Sequence, residues 1–368
     1  MLKRVILLVG FLSTFSLSPA QHDAVATEAH STTEVVSEVS AAEQEKAENQ
    51  EFIQHHVKDA HSFDIMVTGD GRHIGFPLPV IFYDNDNGLH TMMSSAFHHG
   101  ENVVESKGSH YKLYHEKIYK TDAAGTINYD DLGHATNAKM MDFSITKNVL
   151  AILFVALLMI LLFTSIARGY KNSLVPTGAA RLFEPVIVFI RDDIAKPNIG
   201  SKYKKYMPYL LTVFFFILFL NILGLMPFGI NVTGNLAITA ALAIITFLLT
   251  QFTANRNYWQ HIFWMPGLPW PMKIVMMPIE VIGMFIKPFA LLIRLFANMT
   301  AGHIVVMSLI AMIYVFKNII GGIAFPFLTF VLYLLEILVA FLQAYIFAML
   351  SAVYFGMANE EHHHEEAH

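Results

Sequence analysis

Five long apolar runs between residues 148 and 357 constrain this chain more than any other feature. Residues 148–167 carry no charge and are long enough as a helix to cross a hydrocarbon core about 30 Å thick. Residues 207–228 and 235–254 supply two more spans. Residues 274–315 and 318–357 are each roughly 40 residues long, about 60 Å as helix, or twice what an upright span needs. Helices of that length must tilt, kink or project beyond the bilayer. Pro278 and Pro288 are the available kink points in the first, and Gly321, Gly322 and Pro326 in the second. The expected fold class is an all-α polytopic membrane protein with about five transmembrane helices, the last two long and strongly tilted.

Composition agrees: 55% of the 368 residues are hydrophobic, 14% are charged and mean hydropathy is +0.48. The net charge of −5 averages two unlike halves and says little about partners. There are no cysteines, which excludes disulfide scaffolds and Cys-ligated metals. Residues 1–20 have the layout of a signal peptide: Lys3 and Arg4, an apolar run from Val5 to Leu12, then small Ser18 and Ala20. A short uncleaved anchor is the alternative. Residues 21–61 read as a flexible tether, rich in Ala, Glu, Gln, Ser and Thr. Residues 62–143 form an extramembrane extension expected to be small and β-containing. Strands are predicted at Phe63–Val67, Pro79–Tyr83 and Tyr111–Tyr114, with turns at Asp70–Gly71 and Asn85–Gly88. Residues 144–361 are the membrane domain, and 362–368 a His/Glu tail whose histidines are read as solvated rather than metal-binding.

Orientation follows from basic residues near the spans. The segment 168–205, read as a loop, holds eight: Arg168, Lys171, Arg181, Arg191, Lys196, Lys202, Lys204 and Lys205. The loop 255–273 holds Arg256 and Lys273, whereas 229–234 has none. An exported, periplasmic N-terminal region and a cytoplasmic C-terminus satisfy every constraint.

Ionisable side chains cost roughly 2.5–3.5 kcal/mol at the centre of a membrane helix on insertion scales, so the few present are the functional candidates. The fourth apolar run has Glu280, Lys287, Arg294, Asn298 and His303; the fifth has Glu336 and Gln343. Steps of seven, seven and four place Glu280, Lys287, Arg294 and Asn298 on one stripe, while His303 lies near the opposite side. Glu336 and Gln343 share a face. Arginine keeps its charge and its planar fork suits a carboxylate, so Arg294 can block protons and hold an anion but not relay protons. Imidazole and a desolvated glutamate titrate nearer neutrality, so His303 and Glu336 can relay them. The alternatives are an interfacial, snorkelling role for Arg294 or Lys287, and a purely interfacial Glu280.

Leu292-Ile-Arg-Leu-Phe-Ala-Asn-Met-Thr-Ala-Gly302, with Leu342-Gln-Ala-Tyr-Ile-Phe347 and Met357-Ala-Asn-Glu-Glu361, resembles the a subunit of F-type ATP synthases over roughly residues 145–361. Asn221 in the second run and Asn235 opening the third add to the resemblance. It implies a peripheral helix plus steeply tilted helices beside a ring of c subunits, two offset half-channels of the F0 sector, and a b-subunit peripheral stalk as a further partner. It implies that Arg294 faces the rotor carboxylate. Asn298, His303, Glu336 and Gln343 are implied in the periplasmic half-channel, and Glu280 near the cytoplasmic exit. Lys287, Asn221 and Asn235 are further candidates for the proton path. No cofactor, metal or nucleic acid is expected.

The sequence also departs from the family pattern. Ala297 replaces a frequent glycine, and Gly224 stands where some members carry an acid. The imidazole and acid at 303 and 336 are in exchanged order, which suggests that the two groups share one proton site. There is no Gly-x4-Gly-Lys-Ser/Thr phosphate loop, so nucleotide chemistry belongs to partner chains. The rival is a secondary transporter binding an anion at Arg294; such folds show paired inverted repeats, and no repeat is detectable here. The aromatic segment Tyr258–Trp270 reads as an interface belt and turn.

Overall fold

The computed structural model describes residues 59–67, 73–130, 134–172, 178–226, 230–265, 269–315 and 319–359. The signal-peptide segment, most of the tether, the Asp70–Gly71 turn and the His/Glu tail lie outside these. Among the described residues, eight short strands come before the long helices: β1 Ser62–Val67, β2 His73–Pro77, β3 Pro79–Asp84, β4 Gly88–Met93, β5 Val103–Ser106, β6 Ser109–Tyr114, β7 Lys117–Thr121 and β8 Met141–Asp142. They pair antiparallel as β1-β2, β4-β3-β8 and β5-β6-β7. Period-two alternation turns Val80 and Phe82 of β3 and Tyr111 and Leu113 of β6 inward, where they meet Phe97, Ile118 and Met140. All three strands predicted from the sequence fall within observed ones. The Asn85–Gly88 turn closes the β3-β4 hairpin, with Gly88 at φ 75° supplying the left-handed residue. Strands β2, β4, β5, β7 and β8 were not predicted from the sequence.

The helices are α1 Lys147–Asn172, α2 Ala179–Phe189, α3 Lys196–Ile199, α4 Tyr203–Leu225, α5 Leu236–Thr253, α6 Arg256–Phe263, α7 Trp270–Val315 and α8 Ile319–Asn359. Among the described residues, five stretches are long and apolar enough to cross a membrane, as expected. Helix fits that solvent because it satisfies its backbone polar groups internally. The helix α7 has 46 residues and α8 has 41, so both exceed about 60 Å and run on through Pro278, Pro288 and Pro326. Residues 168–205, expected as a loop, are largely helical. There α2 passes through a π-helical turn at Ile190–Ala195 into α3, and Gly200 at φ 71° turns the chain into α4. The reason is amphipathicity: Ile190, Ile194 and Ala195 are buried against the bundle while Arg181 and Arg191 stay exposed.

Helix α4 is the hub. Leu210, Phe214, Phe215, Ile217 and Leu220 are fully buried, and α4 packs most extensively on α8. Outward faces are as apolar as the core, with Leu157, Ile160 and Leu161 of α1 and Ile282, Ile286 and Phe289 of α7 more than half exposed. That is the inverse of a water-facing bundle and suits a lipid solvent.

One cluster ties the β unit to the first span. Asp59 accepts from Asn148 N (3.0 Å) and Thr146 Oγ1 (2.9 Å), which places a carboxylate at the N-terminus of α1. Two residues on, the buried His61 contacts Asp142 Oδ2 at 2.7 Å through Nε2 and Glu116 Oε2 at 3.2 Å through Nδ1. Burial alone would lower the imidazole, but the hydrogen bonds and charges of Asp142 and Glu116 outweigh it and raise its pKa to about 9. A raised pKa contributes stability that is complete below the unfolded value of about 6.5 and is lost as pH rises through about 9. Amide-exchange protection of β1 and β8 should therefore fall between pH 7 and 10 in the native protein. In His61→Asn it should be lower at neutral pH and flat across that window; identical profiles for the two proteins would refute the clamp.

Candidate functional site

The long helices α7 and α8 carry the rare polar groups, and α4 sets their spacing. Leu291, Leu295 and Met299 form the buried edge of α7, so Asn298 is left exposed and Arg294 half-buried on an adjoining face. The Glu280–Lys287–Arg294–Asn298 stripe is therefore preserved within one unbroken helix. His303 turns the other way. Its Nε2 approaches Gly224 of α4, lying 3.7 Å from the position a Cβ there would occupy. Gly224 thus stands beside the imidazole.

On α8, Glu336, Ala340 and Gln343 follow at steps of four and three and share one face. Ala340 and Gln343 are buried, and Glu336 half-buried. Asn221 of α4, fully buried, meets this face: its Nδ2 donates to Ala340 O at 3.2 Å and its Oδ1 accepts from Thr233 Oγ1 at 2.9 Å. Both amide groups are thereby engaged in joining α4, α8 and the segment before α5. Asn235 caps α5, its Oδ1 accepting from Ala237 N at 3.0 Å. These geometries give Asn221 and Asn235 architectural roles alongside their place among the sequence candidates.

Glu336 meets α7 at a glycine. A Cβ built on Gly302 would collide with Glu336 Oε1, so the carboxylate rests directly on the α7 backbone one residue before His303. Close approach of two membrane helices at a small residue is the common device for bringing polar groups into register.

At the other end of the stripe, Glu280 and Lys287 line a cavity with Asn257, Tyr258 and His261 of α6 and Met357 of α8. Lys287 Nζ lies 3.7 Å from Met357 Sδ and 5.6 Å from the Tyr354 ring centre. Sequence reasoning missed Tyr258 and His261, which it assigned to an interface belt. That reading describes Trp264 and Trp270, both well exposed. The available signal was a polar, His-bearing face within the short α6, which packs against α7.

The contact at Gly302 is directly testable. Gly302→Val should destabilise the detergent-solubilised protein by about 1–3 kcal/mol through overpacking. Adding Glu336→Ala should recover part of that loss, because it clears the colliding group. Strictly additive losses in a thermal-melt double-mutant cycle would show that the two positions do not touch.

Comparison with known proteins places this arrangement. Residues 149–356 match the family model described as ATP synthase A chain, and residues 52–143 match one described as a domain of unknown function. The chain is 47% identical over 237 residues to ATP synthase subunit a 2 of Chlorobaculum tepidum, covering 62% of this chain and 66% of that protein. It is 49% identical over 238 residues to ATP synthase subunit a of Chloroherpeton thalassium, covering 62% and 70%. With ATP synthase subunit a 2 of Prosthecochloris aestuarii it is 41% identical over 286 residues, covering 73% and 87%. The first two matches span about two thirds of those relatives' own length. Membrane-length helices, a polar stripe on an apolar helix and these matches agree: the chain belongs to the ATP synthase A chain family.

Proposed function

We propose that this chain is the proton-translocating stator subunit of an ATP synthase F0 sector, working against a ring of c subunits and braced by a b-subunit stalk. The observation that carries the reading is Arg294 on an apolar helix, one turn from an exposed Asn298, with Glu336 resting on Gly302 of the same helix next to His303. The exposed apolar face of α7 gives a rotor or lipid a surface to slide against. The chain itself has no catalytic site in this reading; ATP chemistry belongs to its partners.

In this mechanism a proton enters from the periplasm past Gln343, Glu336, His303 and Asn298 and neutralises a rotor carboxylate. The neutral site moves into lipid without the cost of burying a charge. After nearly a full turn, a carboxylate releases its proton toward Glu280 and the cytoplasm, with Lys287 beside it. The ionised site is then held by Arg294 until it is reprotonated. Arginine suits that step because desolvation does not discharge it. The membrane potential supplies about 2.3 kcal/mol per proton per 100 mV, and the block at Arg294 turns it into rotation. The excess of basic residues around α2, α3 and α6 supports a cytoplasmic C-terminus and a periplasmic β unit in a bacterial inner membrane.

Arg294→Ala should leave the complex assembled and abolish ATP-driven proton pumping in inverted vesicles. Pumping at the native rate would sink the mechanism. Because Glu336 and Gly302 are in contact beside His303, the two titratable groups are read as one proton site. The double exchange His303→Glu with Glu336→His should then transport more than either single change; a double no better than the worse single would refute a shared site.

A further inference from the structure

A second, narrower cavity lies between α5, α6, α7 and α8, lined by Thr246, Thr250, Gln251, Tyr258, Lys287 and Tyr354. Tyr258, Met284 and Lys287 also line the larger cavity at Glu280, so the two spaces share walls. The space open to water centres is about 170 Å³ in the larger and about 20 Å³ in the narrower. Roughly 10–15 Å³ on that measure holds one water, provided two to four polar partners surround it. The narrow cavity therefore has room for a single water, and its walls decide whether one is held.

The walls supply the partners. Gln251 Nε2 donates to Tyr258 OH at 3.3 Å, while Gln251 Oε1 is buried and accepts no hydrogen bond among the described residues. Exchanging the amide oxygen and nitrogen leaves the same count, since one atom of Gln251 meets Tyr258 and the other remains unmatched. The threonine hydroxyls are already committed: Thr250 donates to Thr246 O at 2.8 Å and Thr246 to Leu242 O at 2.9 Å. Tyr258 accepts from Gln251 and still has its own hydrogen to give, and the Lys287 ammonium brings three donors. An amide oxygen left bare in a membrane-spanning helix is costly, so the pattern calls for a donor inside the cavity.

We propose that Gln251 is a positioning residue that holds a water between itself, Tyr258 and Lys287. This water extends the aqueous space at Glu280 inward along α7 toward Arg294. Tyr354, whose ring lies beneath Lys287, also lines the narrow cavity. The exit route then has two parts, a wide vestibule at Glu280 and His261 and a one-water neck at Gln251. The inference rests on the assignment of Glu280 to the aqueous exit proposed above.

The absence of native cysteines makes single-cysteine variants clean probes. Gln251→Cys would mark the neck, Asn257→Cys the vestibule, and Leu248→Cys, an exposed position on α5, the lipid. Each assembled complex in inverted vesicles is treated with Ag⁺, and the thiol left on this chain is titrated with a maleimide after denaturation. Silver binds the thiolate, which forms in water and is suppressed in apolar surroundings, so Gln251→Cys should be consumed at least about tenfold faster than Leu248→Cys. Equal rates at those two positions, with Asn257→Cys consumed rapidly, would overturn the water site and leave the exit assignment standing. Slow consumption at Asn257→Cys as well would overturn both. Thr250→Cys lines the same neck and replaces Gln251→Cys if that complex does not assemble. A functional arm accompanies the labelling. Gln251→Leu should slow ATP-driven pumping several-fold with Gln251→Glu retaining most of it, and native pumping in Gln251→Leu would count against the proposal.

Discussion

The close approach of α7 and α8 at Gly302 sets where the Glu336 carboxylate lies in this bundle. Without a Cβ at that position, the Glu336 carboxylate settles against the α7 backbone, and His303 is carried round toward α4. A larger residue would push the Glu336 carboxylate off the α7 backbone. Asn221 reinforces the arrangement by spending both of its amide groups on α8 and on Thr233. A buried asparagine satisfied on both ends specifies one register of two helices, because sliding either helix would leave polar atoms bare in an apolar medium.

The same economy runs the length of the stripe on α7. A helix repeats every 3.6 residues, so positions 280, 287, 294 and 298 stay aligned over about 27 Å. Neighbouring helices nevertheless surround its ends differently. Near Glu280 and Lys287, α6 folds back over α7 and leaves a cavity with polar walls. Near Asn298 the stripe is exposed. One helix face therefore lines a polar-walled cavity at one end and lies exposed further along.

The β unit joins the membrane domain by a different physics. Its entry at Asp59 and His61 and its exit at Asp142 to Asn148 are held together by charge-assisted hydrogen bonds rather than by apolar burial alone. Asp59 sits where the helix dipole of α1 favours an anion, so the start of the first span is fixed by a residue nearly ninety positions earlier in the chain. His61 adds a titratable link whose charged form is favoured through neutral pH.

Apolar run length by itself determined the membrane class, the number of spans and the excess length of α7 and α8, because a bilayer admits few alternatives to a long helix. Helical periodicity likewise determined the stripe through Arg294, since it is a property of one continuous element. Three of the strands were legible from alternation and a glycine turn. Residues 168–205 were not legible as helix, because their charge count masked an amphipathic face that only the bundle buries. Nor could spacing within α7 and α8 bring Gly302 to Glu336, His303 to Gly224 or Gln251 to Tyr258, because those meetings join different helices. Their partners lie on separate helices, α4 to α8, and only the tertiary packing brings them together.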